Sequence, residues 1–88
     1  MFYFVYVLLS KKDNDFYIDF TTDLKQRIKI HQRGEVKSTK ARLSLELIYF
    51  ETYKNKLDAE KRERFLKSDS GHKYLKKQLE NYLKFRKK

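Results

Sequence analysis

Phe2-Tyr3-Phe4-Val5-Tyr6-Val7-Leu8-Leu9 is an unbroken apolar run near the start of the chain. Aromatic and β-branched residues fill both of its alternating positions, which suits a strand covered on both faces. The run therefore predicts the central strand of a sheet. It is too short to span a bilayer, and it lacks the basic start and small-residue cleavage site of a signal peptide. Ser10 to Asn14 reads as a polar turn. Asp15 to Phe20 then alternates, with Phe16, Ile18 and Phe20 on one face and Tyr17 and Asp19 on the other. The two stretches together predict a hairpin.

Beyond the hairpin, Thr21 and Thr22 can cap a helix whose first turn holds Asp23, where a carboxylate suits the positive end of the helix dipole. Leu24, Ile28 and His31 line one side of that helix, and Gly34 ends it. Glu35 to Ser44 is a polar, basic loop containing Lys37, Ser38, Thr39, Lys40 and Arg42, and Leu45 to Tyr53 returns to strand character. Asn55 caps a helix from about Lys56 to Lys67. Ser70 and Gly71 open a last helix with Leu75, Leu79, Tyr82 and Leu83 on one face. The expected order is β-β-α-β-α-α, an α+β fold with a three-stranded antiparallel sheet flanked by helices that bury these stripes.

Eighty-eight residues suffice for one hydrophobic core and not for two, and no Pro- or Gly-rich linker interrupts them. One domain is expected over 1–88, with 84–88 a frayed basic tail. There is no Cys, so disulfide frameworks and thiolate zinc sites are excluded. A reducing, cytoplasmic setting fits, and no membrane partner is expected. The formal charge is +10, and residues 61–88 hold eleven Lys/Arg against three acids. Such a basic surface attracts polyanions, nucleic acid foremost. Solvated helix faces would also account for it.

With two His and no Cys, a catalytic metal would have to be held by carboxylate and water, as Mg²⁺ is. Glu63 is the candidate. It falls at the edge of a helical core stripe with Ala59, Phe65 and Leu66, where an acid needs solvent or a partner; pairing with Arg62, Arg64 or Lys67 is the plainer reading. Arg27 and His31 stand four residues apart on one side of the first helix and together can meet a phosphate. They are equally readable as a surface Arg and a helix-end His. Tyr6 and Tyr17 lie on the two hairpin strands, able to aim their hydroxyls at a common cleft or simply to pack.

Taken jointly, Val5-Tyr6-Val7, Phe16-Tyr17-Ile18-Asp19, Thr21-Thr22-Asp23-Leu24 with Arg27 and His31, and Ala59 with Arg62-Glu63 ahead of Phe65-Leu66-Lys67 resemble the GIY-YIG endonuclease superfamily, in particular its small stand-alone bacterial members. The resemblance runs from Phe2 to about Leu79. It implies a divalent-metal-dependent endonuclease acting on DNA, with RNA left open. Tyr6 and Tyr17 match the motif tyrosines, Arg27 the catalytic arginine, His31 the histidine position and Glu63 the metal-binding glutamate. In the implied mechanism Glu63 holds Mg²⁺ or Mn²⁺, a tyrosine helped by His31 activates water, and Arg27 stabilises the developing charge. Lys37, Lys40, Arg42, Arg62, Lys67 and Lys73 are the expected nucleic-acid contacts. One departure stands out: the second motif should end in glycine, and here the residue is Asp19. A carboxylate there repels a phosphate or serves as an added metal ligand. A nucleic-acid-binding module with impaired cleavage is the alternative function.

Overall fold

The computed structural model describes residues 1–42 and 44–86. Three strands, β1 (Tyr3–Ser10), β2 (Phe16–Thr21) and β3 (Leu45–Tyr53), form an antiparallel sheet in the order β2-β1-β3. The apolar run is thus the central strand, as its double-sided patterning requires. Val5, Tyr6 and Val7 are fully buried, and Leu8 and Leu9 nearly so.

Alternation sends β1 into two cores. Val5, Val7 and Leu9 join Phe16 and Ile18 against Ala59, Leu66 and Leu75 of the C-terminal helices. Tyr6 and Leu8 join Tyr17, Leu24, Ile28, Leu45 and Leu47 on the opposite face. Each fully buried Val or Leu contributes about 1.5–3 kcal/mol, so two dry faces give this strand more of the fold's stability than either edge strand. Between Val7 and Leu8 the β3 register jumps from Tyr49 to Leu47, leaving Ile48 as the extra residue of a bulge.

The hairpin turn closes through the Ser10 N–H to the Asp15 carbonyl at 2.9 Å, with Asn14 in the left-handed region at φ 59°. Helix α1 (Leu24–Gln32) is capped by Asp23, whose carboxylate accepts the Gln26 N–H at 3.1 Å. The cap expected at Thr21 or Thr22 is therefore displaced to the stronger capping residue, and the Thr21 hydroxyl instead accepts the Asp23 N–H at 3.2 Å. Gly34 ends α1 at φ 74°. Its N–H reaches the His31 carbonyl and the Glu35 N–H reaches Ile30, a Schellman closure.

Helix α2 (Lys56–Lys67) starts at Asn55, whose side chain accepts the Leu57 N–H at 2.8 Å. It buries Ala59 and Leu66, seven residues apart on one face, while Phe65 lies 39% exposed against Tyr74 rather than in the core. Ser68 caps α3 (Asp69–Gln78), accepting the Gly71 N–H at 3.1 Å. A Cβ at Gly71 would stand 2.0 Å from the Phe65 carbonyl oxygen, so only glycine permits this tight α2–α3 corner. The single last helix expected from the sequence is two: Leu79 leaves helical geometry and α4 (Glu80–Arg86) follows. Leu79 and Leu83 still reach the core, while Tyr82 and Arg86 turn to Glu46. The segment expected as a tail is helical through Arg86, and Lys87 and Lys88 lie outside the described residues. No helix among the described residues is long and apolar enough to cross a membrane.

Candidate active site

Strand register assembles the first half of the site. Tyr6 on β1 lies directly opposite Asp19 on β2, and Leu8 lies opposite Tyr17. Tyr6, Tyr17 and Asp19 therefore share the sheet face that α1 covers. The Tyr17 hydroxyl donates to Asp19 Oδ2 at 3.1 Å, and Asp19 Oδ1 accepts the Phe20 N–H at 2.8 Å.

Helix α1 supplies the second half. The fully buried His31 holds both motif tyrosines: its ring meets Tyr17 edge-on at 5.0 Å, and its Nε2 lies 3.0 Å from the Tyr6 hydroxyl. Its Nδ1 lies 2.8 Å from the buried Thr39 hydroxyl. Burial and the nearby Arg27 charge depress the His31 pKa, outweighing the opposite pull of Asp19, so the imidazole is neutral near pH 7. Burial pushes the Tyr6 phenol well above its ordinary range although Arg27 draws it down. Tyr17 is also raised, first by burial and further by Asp19, against a lowering from Ser38, whose hydroxyl is 3.5 Å away.

From the sequence Arg27 and His31 could meet a phosphate together or be a surface Arg and a helix-end His. In the structure they stay neighbours but differ in access: His31 is interior with both ring nitrogens engaged, and Arg27 is the solvent-reaching member, its side chain 33% exposed and 3.9 Å from Asp19 Oδ2. Likewise the tyrosine bonded to His31 is Tyr6, which is wholly buried, whereas Tyr17 is the half-buried one.

Glu63 arrives from α2. It pairs with Lys67 one turn on, Oε2 to Nζ 3.0 Å. Burial raises its pKa, Lys67 pulls it down and the neighbouring Asp19 carboxylate pushes it up again, with a net rise. Asp19 and Tyr17 also act on the Lys67 ammonium. Side chains from β1, β2, α1 and α2 thus converge around Asp19. Among the described residues no group of three or more His, Cys, Asp or Glu gathers to hold a metal. What the site offers is one or two carboxylates, a donor set that fits Mg²⁺ or Mn²⁺, which complete their shells with water and phosphate, and does not fit zinc.

The six expected nucleic-acid contacts disperse. Lys37 and Lys40 are exposed beyond α1, and Lys73 is exposed on α3. Lys67 belongs to the Glu63 pair. Arg42 clamps the hairpin turn, reaching Asp13 at 3.5 Å, Asp15 at 3.8 Å and the Phe16 carbonyl at 3.4 Å. Arg62 points to β3, bonded to Glu51 at 2.5 Å and set over the rings of Phe65 and Tyr74. Thr39 and Ser38, which touch His31 and Tyr17, were visible in the sequence only as polar loop residues.

Residues 2–78 match the GIY-YIG catalytic domain. This chain belongs to the GIY-YIG family. A UPF0213 protein of Clostridium perfringens is 40% identical over 65 residues, covering 73% of this chain and 69% of the relative. One from Streptococcus pneumoniae is 40% identical over 65 residues, covering 73% and 65%. The chain thus spans about two thirds of the length of these relatives. The solution NMR structure of a UPF0213 protein from Bacillus halodurans superposes with a TM-score of 0.54 at 32% identity, covering 85% of this chain and 82% of that one. The two chains therefore share a fold. The GIY-YIG domain implies a nucleic-acid substrate, and GIY-YIG nucleases are in general divalent-metal dependent.

Proposed function

We propose that this chain is a metal-dependent phosphodiesterase acting on DNA, with cleavage restrained by Asp19. The observation that supports it most is convergence. Tyr6, Tyr17, Arg27 and Glu63, far apart in sequence, meet around a single carboxylate on one flank of the sheet. Glu63 would hold the Mg²⁺ or Mn²⁺, with Asp19 beside it. When bound, such a metal neutralises charge developing on a phosphate oxygen.

The chain's own groups take the remaining work. Arg27, the partly exposed guanidinium of the site, binds a phosphate oxygen through charge-assisted hydrogen bonds. Tyr17 orients the attacking water with its phenol oxygen. Tyr6 and His31 form the dry floor that holds Arg27 and Tyr17 in place. Asp19 works against two of these roles: it draws on Arg27, and it helps raise the Tyr17 phenol, leaving less phenolate present to act as a base near neutral pH.

The Asp19–Arg27 contact also favours the second reading, a module that binds nucleic acid and barely cuts. One experiment separates them. The protein is incubated with duplex, flap and single-stranded DNA, with Mg²⁺, Mn²⁺ or chelator, at several salt concentrations. Metal-dependent cleavage is the expected result. Salt-sensitive binding without cleavage selects the module, and salt-insensitive affinity rejects both.

A further inference from the structure

Thr39 lies in the loop that follows α1, eight residues beyond His31, and is fully buried. A buried hydroxyl beside a buried imidazole fixes more than packing, because the two ring nitrogens cannot play the same role in a neutral histidine. One must donate and the other accept. The neighbours decide which.

At the Nε2 end stands the Tyr6 hydroxyl, 3.0 Å away. Beside the same phenol is the Arg27 guanidinium, which carries only donors. That cation lies 3.9 Å from Asp19, the strand partner of Tyr6, so the phenol turns its lone pairs toward it and its hydrogen away, where His31 Nε2 is the acceptor within reach. Either tautomer leaves one hydroxyl hydrogen, of Tyr6 or of Thr39, with no ring nitrogen to meet. Were Nε2 protonated, its hydrogen and the Arg27 charge would both face the lone pairs of one buried oxygen, so the Arg27 charge tips the choice to a bare Nε2 and a protonated Nδ1. That Nδ1–H needs an acceptor in turn, and Thr39 Oγ1 lies 2.8 Å from it. Asp19, the other charge that acts on His31, is engaged with Tyr17 and Arg27 and makes no bond to the ring.

We infer that Thr39 is a positioning residue that locks His31 in its Nδ1–H tautomer, so that Nε2 holds the Tyr6 proton and the Tyr6 oxygen is turned to fix Arg27. The inference rests on the proposed nuclease reading for its purpose, and not for its geometry. Thr39 touches no substrate in this scheme. It sets the direction of two hydrogen bonds, Tyr6 to His31 and His31 to Thr39, beside the partly exposed Arg27 that would bind the phosphate.

The test is long-range ¹H–¹⁵N NMR of the imidazole nitrogens near neutral pH, with His72→Gln used to assign the signals of His31. The parent and Thr39→Ser should show a protonated Nδ1 and a bare Nε2. Thr39→Val, which keeps the shape and loses the hydroxyl, should lose that pattern. Where cleavage is measurable it should fall roughly tenfold or more, with Thr39→Ser restoring most of it. A protonated Nε2 in the parent overturns the assignment, as does an unchanged tautomer in Thr39→Val. Should the valine variant fail to fold, the parent and serine spectra still decide the tautomer. The spectra need no substrate. A protein with the expected tautomer that cuts nothing keeps the Thr39 assignment and removes only the nuclease reading.

Discussion

The two edges of the sheet carry clusters made of the same residue types in opposite states of completion. At the β3 edge, Glu51 accepts from Tyr49 at 2.5 Å, Tyr53 at 2.7 Å and Arg62 Nε at 2.5 Å. Burial works to raise this carboxyl, yet the three donors hold it below its ordinary range, and burial together with Glu51 pushes Tyr49 and Tyr53 up to about 12. At the β2 edge, Asp19 accepts from Tyr17 at 3.1 Å and from the Phe20 N–H at 2.8 Å, with an arginine at the looser distance of 3.9 Å and a second carboxylate, Glu63, for a neighbour. Three side-chain donors hold both oxygens of Glu51, whereas Asp19 has a single side-chain hydrogen bond and a like charge beside it. A closed cluster stabilises the fold, and an open one has somewhere to put a ligand.

The sharpest way to break this contrast is to neutralise Glu63. Glu63→Gln keeps the size of the side chain and removes the charge a metal needs, so cleavage should fall by about 10²–10³ while thermal unfolding moves little. A glutamine variant that folds and cuts like the parent would detach Glu63 from the chemistry.

Glu51→Gln is the mirror experiment. It weakens a hydrogen-bonded charge in a mostly buried setting, so roughly 2 kcal/mol of stability should be lost, a drop in Tm of about 10 °C for a domain this small. Activity per folded molecule should be preserved below that temperature. If Glu51→Gln impaired cleavage as much as stability, the division of the two edges into fold and function would collapse.

That division was only half legible in the sequence. Strands, their facing residues and the caps at Asn55 and Gly34 follow from period-two alternation and capping chemistry, which are local. Tyr6, Tyr17 and Asp19 could be placed on one face for the same reason. Arg62 and Glu63 could not be sorted: consecutive helical residues project about 100° apart, and only the docking of α2 sends one to β3 and the other toward β2. Thr39 was invisible as a partner of His31 because that contact depends on how the loop folds back. Phe65 was misplaced in the core since it lies one position off the Ala59–Leu66 face.

Asp19 is where the open cluster can be opened further. Two like charges about 4 Å apart repel by roughly 4 kcal/mol at an effective dielectric of about 20. Solvent and the Arg27 contact reduce this, and a residue of about 1.4 kcal/mol is a tenfold change in rate. Asp19→Gly should therefore raise metal-dependent cleavage about tenfold and tighten DNA binding, at some loss of strand stability. Asp19→Asn, which keeps the bulk, tells charge from size. Cleavage that stays level or falls in the glycine variant would make Asp19 a working metal ligand.

The smallest effect is in the pH dependence of stability, where the two glutamates should carry opposite signs. Glu51 is depressed in the fold, so its ionised form is favoured there. The stability it contributes is complete above the unfolded glutamate value of about 4.3 and is lost as pH falls through the lower folded value. Glu63 is raised, so ionisation disfavours the fold. Its penalty is present at neutral pH and is relieved as pH falls through the raised folded value toward about 4.3. Glutamine imitates each acid in its protonated state. Denaturant unfolding across this range should then show the parent more stable than Glu51→Gln and no more stable than Glu63→Gln at pH 7. Both gaps should close on acidification, the Glu63 gap at the higher pH. Gaps of the same sign would mean that Lys67 outweighs burial and Asp19, and that the β2 edge is as complete a structural pair as the β3 edge.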